Sequence, residues 1–163
     1  MKRALLLTLV LLFIAFSAGS AYAFVTKGDT LVVEQADADA QPLNEIIAAD
    51  TLADGSQAHT VYELVPDGWY SLASDIAAYT FDLNLVGGKR IAGQSRPVLL
   101  VKETYGSWQM ISSGKDLTLK GIHFMQVAET AGGNVGPWAR AGVLLADTNQ
   151  TVVIHDMVWD FNT

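Results

Sequence analysis

Three short stretches decide the fold. Residues 82–87 read Asp-Leu-Asn-Leu-Val-Gly, residues 116–121 read Asp-Leu-Thr-Leu-Lys-Gly, and residues 151–156 read Thr-Val-Val-Ile-His-Asp. Each begins with a polar residue, has apolar residues at its second and fourth positions, and ends in a turn residue. The spacings between them are 34 and 35 residues. A nearly constant period of this length, with several strands in each unit, is typical of a solenoid with stacked coils.

Stacking at this period predicts that apolar side chains line up inside the solenoid. Coils rise by about 4.8 Å, one strand spacing, so equivalent residues lie above one another. The two expected interior ladders are Leu83, Leu117 and Val152, and Leu85, Leu119 and Ile154. A β-sandwich is the alternative, because its strands also alternate, although without a constant period. We favour the solenoid, for which three copies are the minimum.

The chain from Val61 onward contains short apolar or alternating runs separated by Gly, Pro, Asp and Ser, a pattern of strands and turns. The predicted strands cover residues 61–65, 69–72, 81–85, 97–101, 108–111, 116–124, 141–145 and 151–161. No part of this region has the pattern of a long amphipathic helix. The sequence therefore predicts that residues 60–163 form the coils of an all-β protein.

Residues 24–59 form an acidic segment ahead of the coils, in which Lys27 is the only Lys or Arg. Residues 30–33 have the pattern of a strand. Residues 42–49 have the pattern of a short helix that begins with Pro42. The apolar face of this helix consists of Leu43, Ile46 and Ile47. We expect the helix and the strand to cap the N-terminal end of the coils, because unpaired strand edges promote aggregation.

Acidic and histidine residues raise the question of a metal site. Residues 36–40 read Ala-Asp-Ala-Asp-Ala and lack the Gly turn of a calcium loop, which favours a solvated acidic strip. His123 and His155 occupy non-equivalent positions on adjacent coils, which favours two outward-facing side chains over a shared metal ion. We therefore predict no metal and no cofactor.

The first 23 residues have the pattern of a secretory signal peptide. Lys2 and Arg3 precede an apolar run over residues 4–16, and Ala21-Tyr22-Ala23 is a suitable cleavage site. The alternative is a transmembrane anchor, but the run is shorter than the roughly 20 residues that cross a bilayer. The sequence therefore predicts export, with cleavage near Ala23, and a protein that is secreted or held at the cell surface. We expect contact with a membrane only during export.

Composition excludes several classes of function. The chain has 163 residues, 17 acidic against 10 basic residues, and a formal net charge of −7. A nucleic-acid partner is not expected, because binding phosphates requires a basic surface. The chain contains no cysteine, which rules out disulfides, thiolate metal sites and a cysteine nucleophile. An exported protein without cysteine suggests a bacterial origin.

The coil motifs resemble a known family. Residues 116–124, 142–145 and 152–159 look like successive coils of pectin-lyase-like right-handed parallel β-helix proteins, and residues 28–70 resemble the leader of secreted members of the Bacteroidetes type. The resemblance implies a right-handed parallel β-helix of about three coils with a short N-terminal capping helix. Proteins of this fold include polysaccharide lyases and hydrolases, but coil motifs report the fold more than the function.

The catalytic residues that the resemblance implies are not visible in this chain. Pectate lyases of this fold hold calcium with clustered carboxylates and use Arg or Lys as the base. The outward positions of the repeats here are Asn84, Thr118 and Val153, which offer no such carboxylates. Asp156 and Asp160 lie on one coil only, which favours a turn residue and a surface residue over an acid and base pair.

Four loop residues are the candidate carbohydrate-binding residues, since exposed aromatic rings stack on sugars. They are Tyr105, Trp108, Trp138 and Arg140. The alternative is that loop tryptophans pack back onto a small core. Lys89, Arg90 and Arg96 form the only basic cluster, which suits an acidic polysaccharide but would equally keep a turn soluble.

These observations favour a secreted or surface β-helix protein that serves in adhesion or binds an extracellular polysaccharide. The alternative is a polysaccharide lyase or glycoside hydrolase whose catalytic coils lie beyond Thr163. That alternative arises because residues 159–163 continue the strand pattern without a closing segment, which predicts that the chain is an N-terminal fragment. The sequence does not predict an oligomeric state.

Overall fold

The computed structural model describes residues 25–101, 109–126 and 141–161. The elements, in chain order, are β1 (Val25–Lys27), β2 (Thr30–Val33), α1 (Gln35–Ala40), α2 (Leu43–Ala49), β3 (Val61–Leu64), β4 (Trp69–Leu72), β5 (Ile76–Ala78), β6 (Leu83–Gly87), β7 (Val98–Val101), β8 (Gln109–Ser113), β9 (Leu117–Lys120), β10 (His123–Gln126), β11 (Ala141–Leu145), β12 (Val152–His155) and β13 (Val158–Phe161). Residues 1–23, the predicted signal peptide, lie outside the described ranges.

The strands form three sheets, and successive strands of a coil belong to sheets 1, 2 and 3 in that order. Sheet 1 has the order β1-β2-β3-β6-β9-β12, sheet 2 has β4-β7-β10-β13, and sheet 3 has β5-β8-β11. All pairs are parallel except β1 with β2. Each coil contributes one strand to each sheet, so the fold is a parallel β-solenoid of about three coils. The predicted fold class is confirmed, and the β-sandwich alternative is excluded.

The predicted repeat sets the register of sheet 1. Leu83 pairs with Leu117, and Leu117 pairs with Val152. The second ladder, Leu85, Leu119 and Ile154, is also in register. Leu83, Leu85, Leu117 and Leu119 are buried. Ile154 is 50% exposed, because among the described residues no strand pairs with the far side of β12.

The first coil is shorter than the repeat predicts. Val61 in β3 pairs with Asn84 in β6, only 23 residues later. Tyr62 and Leu64 still point inward from β3 and are fully buried. This coil keeps the alternation of the repeat but connects its strands by shorter loops, so it has no counterpart at a spacing of 34 residues.

Two turns divide runs that the sequence pattern shows as continuous. The predicted strands over residues 116–124 and 151–161 are each two strands, separated at Gly121 and Asp156. Both residues have positive φ, 68° and 54°. This left-handed conformation suits glycine and is tolerated by Asp. Each break turns the chain from sheet 1 into sheet 2.

The N-terminal segment forms an additional coil in which helices replace strands. β2 pairs with β3, α1 lies against β4, and α2 contacts β4 and β5. Leu43, Ile46 and Ile47 of α2 are buried, as the helical spacing predicts. The segment contains two helices where the sequence predicted one. α1 covers the Ala-Asp repeat, and it buries Ala38 while Asp39 is exposed.

Candidate ligand-binding groove

A groove of about 600 Å³ lies on the outer face of sheet 2. Sheet 2 provides the floor, and the loop over residues 88–97, which we call the β6–β7 loop, provides much of the wall. The lining residues are Asp67, Trp69, Arg90, Gln94, Ser95, Arg96, Val98, His123, Met125 and Val158. Most of them carry polar side chains, and the remainder supply aromatic or aliphatic surface.

The floor is one row of equivalent residues on successive coils. Trp69, Val98, His123 and Val158 are aligned by the parallel register of β4, β7, β10 and β13. Their neighbours in sequence point inward, because side chains alternate along a strand. Tyr70 and Phe124 accordingly belong to the core. Trp69 remains 52% exposed at the N-terminal end of the row.

The wall of the groove is anchored at its Asp67 side by hydrogen bonds from backbone N–H groups. Asp67 has a positive φ of 62°, and its backbone N–H donates to the Ser95 carbonyl at 3.2 Å. The Ser95 N–H donates to Asp67 Oδ1 at 2.7 Å. Within the loop, the Ile91 N–H donates to Gln94 Oε1 at 3.0 Å. These contacts hold the polar end of the loop beside Trp69.

The loop is also held by ion pairs from Arg90 and Arg96 to Asp156, in the turn between β12 and β13. Arg90 Nη2 lies 2.9 Å from Asp156 Oδ2, and Arg96 Nη2 donates to Asp156 Oδ1. Arg96 Nε also donates to the Asp156 carbonyl at 3.0 Å. The hydrogen bond from Arg96 lowers the pKa of the Asp156 carboxyl below its usual value. Two of the three residues in the predicted basic cluster are therefore paired with a carboxylate.

His123 is the polar side chain on the floor of the groove. Its Nε2 atom is buried and has no hydrogen-bond partner among the residues that the structure describes. A buried polar atom without a partner is unfavourable, so a hydroxyl group that reaches it would be stabilised. His155, the histidine considered with His123 for a shared metal ion, lies in sheet 1 opposite Lys120. The two histidines therefore belong to different sheets.

The sequence predicts a different set of ligand-binding residues. The candidates Tyr105, Trp108, Trp138 and Arg140 lie outside the described residues. Trp69 is not in that set, although the alternation of β4 indicates that its side chain is exposed. Tyr70 and Leu72 are apolar residues at spacing two, which points Trp69 to the outer face.

A second polar cluster lies between the N-terminal coil and β3. Asp50 accepts hydrogen bonds from His59 Nδ1 at 2.9 Å and from the Tyr62 hydroxyl at 2.8 Å. Gln57 Nε2 donates to the Ile47 carbonyl at 2.6 Å. Burial, followed by the bond to Asp50, raises the pKa of Tyr62 well above its usual value. The cluster joins the loop after α2 to the first coil, and the sequence spacing of its members gave no sign of it.

Other features of the described residues add no further site. Within the described ranges there is no group of three or more His, Asp or Glu side chains that could hold a metal ion. No helix in this part of the chain is long and apolar enough to cross a membrane. No protein-family model, no curated protein and no solved structure matches the chain.

Proposed function

We propose that this chain is an exported β-solenoid that binds an extracellular polysaccharide in the groove on sheet 2, with adhesion as its role. The observation that carries the proposal is the half-exposed Trp69 at the end of a polar groove that runs along stacked coils. An indole face packs against the apolar face of a sugar ring, and polar neighbours bind the hydroxyl groups. A solenoid face suits an extended ligand, because successive coils present equivalent positions along one axis.

Export is part of the proposal and rests on the pattern of residues 1–23. The resemblance of the coils to pectin-lyase-like right-handed β-helix proteins of the Bacteroidetes type also belongs to it. When the full chain is expressed in a Gram-negative bacterium, we expect the processed protein outside the cytoplasm with Phe24 as its first residue. N-terminal sequencing of the periplasmic and medium fractions checks this. A cytoplasmic protein that retains Met1 or Lys2 would contradict the export.

Binding is tested by electrophoresis of the exported protein in native gels that contain one soluble polysaccharide each. We expect at least one polysaccharide to retard the wild-type protein, and the Trp69→Ala variant to migrate as it does without polysaccharide. Tyr79→Ala is the control, because Tyr79 is also exposed but does not line the groove. Equal migration of wild-type protein in every gel would contradict the proposed function.

A further inference from the structure

The sequence suggests that a basic cluster attracts an acidic polysaccharide, but the charges in the groove are already balanced. Arg90 and Arg96 both contact Asp156, which lies outside the lining, and Asp67 is a carboxylate of the lining itself. Both guanidinium groups are therefore paired with Asp156, and with Asp67 the formal charges of the four side chains cancel. The whole chain carries a net charge of −7, which repels polyanions at long range.

An anionic sugar would have to compete with Asp156 for Arg90 and Arg96. Asp156 receives three hydrogen bonds from Arg90 and Arg96, including one to its backbone carbonyl. A uronate carboxylate could replace it only by breaking contacts between charged groups, which are the stronger kind of hydrogen bond. The displaced Asp156 would then be left beside another negative charge. The arginines therefore act as the wall of the groove and not as free anion-binding groups.

The lining groups outside these ion pairs suit an uncharged, hydroxyl-rich ligand. Trp69 offers an exposed aromatic face, and His123 Nε2 has no partner among the described residues. Gln94 adds the amino group of its side-chain amide to the lining, because its Oε1 atom accepts from the Ile91 N–H. Trp69 and His123 lie two coils apart in the same row, which is about 10 Å at one strand spacing per coil. This distance fits an oligosaccharide that lies along the solenoid axis better than a single ring.

We propose that the groove selects a neutral polysaccharide, with one sugar ring on Trp69 and a hydroxyl group of another bound by His123, and that it discriminates against uronates. This inference rests on the polysaccharide-binding function proposed above. Asp156 is a specificity-determining residue in it, because its carboxylate pairs with both arginines, which would otherwise attract an acidic sugar.

Calorimetric titration with matched hexasaccharides tests the selectivity. The probes are neutral hexasaccharides of glucose, mannose, galactose and xylose, and hexamers of galacturonate and glucuronate. We expect at least one neutral probe to bind at least tenfold more tightly than either uronate hexamer. Trp69→Ala should lower the affinity for that neutral probe at least tenfold, and His123→Ala should lower it several-fold. Tyr79→Ala should leave this affinity unchanged.

The Asp156→Asn variant provides a second measurement. Asn tolerates the positive φ of this position, so the turn is retained while the carboxylate charge is removed. We expect uronate affinity to rise at least threefold in this variant, while affinity for the neutral probe changes less than twofold.

The outcomes separate the two proposals. Tighter binding of a uronate hexamer by the wild-type protein would overturn the selectivity and leave the binding function standing. Neutral binding that Trp69→Ala does not weaken would overturn the assignment of the groove. Uronate affinity that does not rise in Asp156→Asn would overturn the role of Asp156. If no hexasaccharide and no polysaccharide binds, both proposals fail.

Discussion

At the scale of single residues, the aspartate that begins each of the first two repeats hydrogen-bonds to the next coil. Asp82 Oδ1 accepts the Asp116 N–H at 3.2 Å, and Asp116 Oδ1 accepts the Thr151 N–H at 2.8 Å. Asp29 accepts the Thr60 N–H in the same way at 3.3 Å. These carboxylates satisfy backbone donors at the corners, where the sheet hydrogen bonds begin. The polar first position of the repeat therefore has a structural role in stacking.

The glycine that ends a repeat has a steric role, which gives a prediction. A Cβ atom on Gly87 would lie 2.3 Å from the carbonyl oxygen of Gly121 in the adjacent coil, so the two turns could not stack as closely. We expect Gly87→Ala to lower the free energy of unfolding by about 1–3 kcal/mol, the usual range for overpacking. Urea denaturation followed by circular dichroism measures this.

Gly88→Ala is the control for this substitution. Its Cβ would lie 3.2 Å from Pro66 Cδ, a tight contact that a small shift of the proline ring relieves. We expect a smaller loss of stability than for Gly87→Ala. Equal losses in the two variants would mean that the contact between the stacked turns is not what requires glycine at position 87.

At the scale of elements, the helices of the N-terminal coil satisfy the strand edge beneath them with side-chain amides. Gln35 Oε1 accepts the Trp69 N–H at 2.7 Å, and Gln35 Nε2 donates to the Trp69 carbonyl at 3.2 Å. Asn44 Oδ1 accepts the Ala73 N–H at 3.0 Å. A helix cannot pair with β4 through its own backbone, so these amides replace the missing strand. The coil thereby protects an edge that would otherwise be open to association.

This arrangement predicts that Gln35 is more important than its position on a short polar helix suggests. Gln35→Ala leaves the Trp69 N–H and carbonyl without these partners, and we expect a loss of about 1–3 kcal/mol in unfolding free energy. Gln41→Ala is the matched control, because the Gln41 side chain donates to Glu45 at the surface at 3.4 Å and to no strand edge in the part of the chain that the structure describes. We expect that variant to stay within about 0.5 kcal/mol of wild type.

Urea denaturation measures both variants, and light scattering over several protein concentrations reports association through β4. We expect Gln35→Ala to form more high-mass species than Gln41→Ala at equal concentration. If the two variants have the same stability and the same scattering, the side-chain amide does not protect the edge of β4.

Elements with a regular pattern were predictable from the sequence, and those defined by long-range contacts were not. The repeat around Leu83 and Leu117 gave the register of sheet 1, because alternation and period are local properties of the chain. The spacing of the apolar residues Leu43 and Ile46 predicted the helix α2. Neither α1 nor β5 was predicted, because the Ala-Asp repeat of residues 36–40 has no apolar stripe and β5 is only three residues long.

Only part of the groove could be predicted from the sequence, for the same reason. The exposure of Trp69 follows from the alternation of a single strand and could have been found by extending the inward and outward assignment to β4. The pairing of Arg90 and Arg96 with Asp156 joins residues 66 and 60 positions apart. It depends on the coil lengths and on the path of the β6–β7 loop, which no local pattern encodes. The balance of charge in the groove was therefore visible only in the structure.

At the scale of the whole molecule, stability comes from stacking between coils. The second interior ladder extends from Leu31 through Tyr62, Leu85 and Leu119 to Ile154. Residues inside the ladder have a neighbour on both sides and are buried, whereas Ile154 in β12 has one on only one side among the described residues. In such a stack, each coil is stabilised mainly by its nearest neighbours.

The position of a residue in this ladder therefore predicts the effect of shortening its side chain. Leu119 is fully buried between Leu85 and Ile154, and we expect Leu119→Ala to lower the unfolding free energy by about 2–5 kcal/mol, the usual range for a buried aliphatic residue. Ile154→Ala removes a similar volume from a half-exposed position, and we expect less than half of that loss. Chemical denaturation of the two variants under one set of conditions makes the comparison. Equal losses would show that Ile154 is covered in solution as fully as Leu119, and would contradict the exposed position of β12.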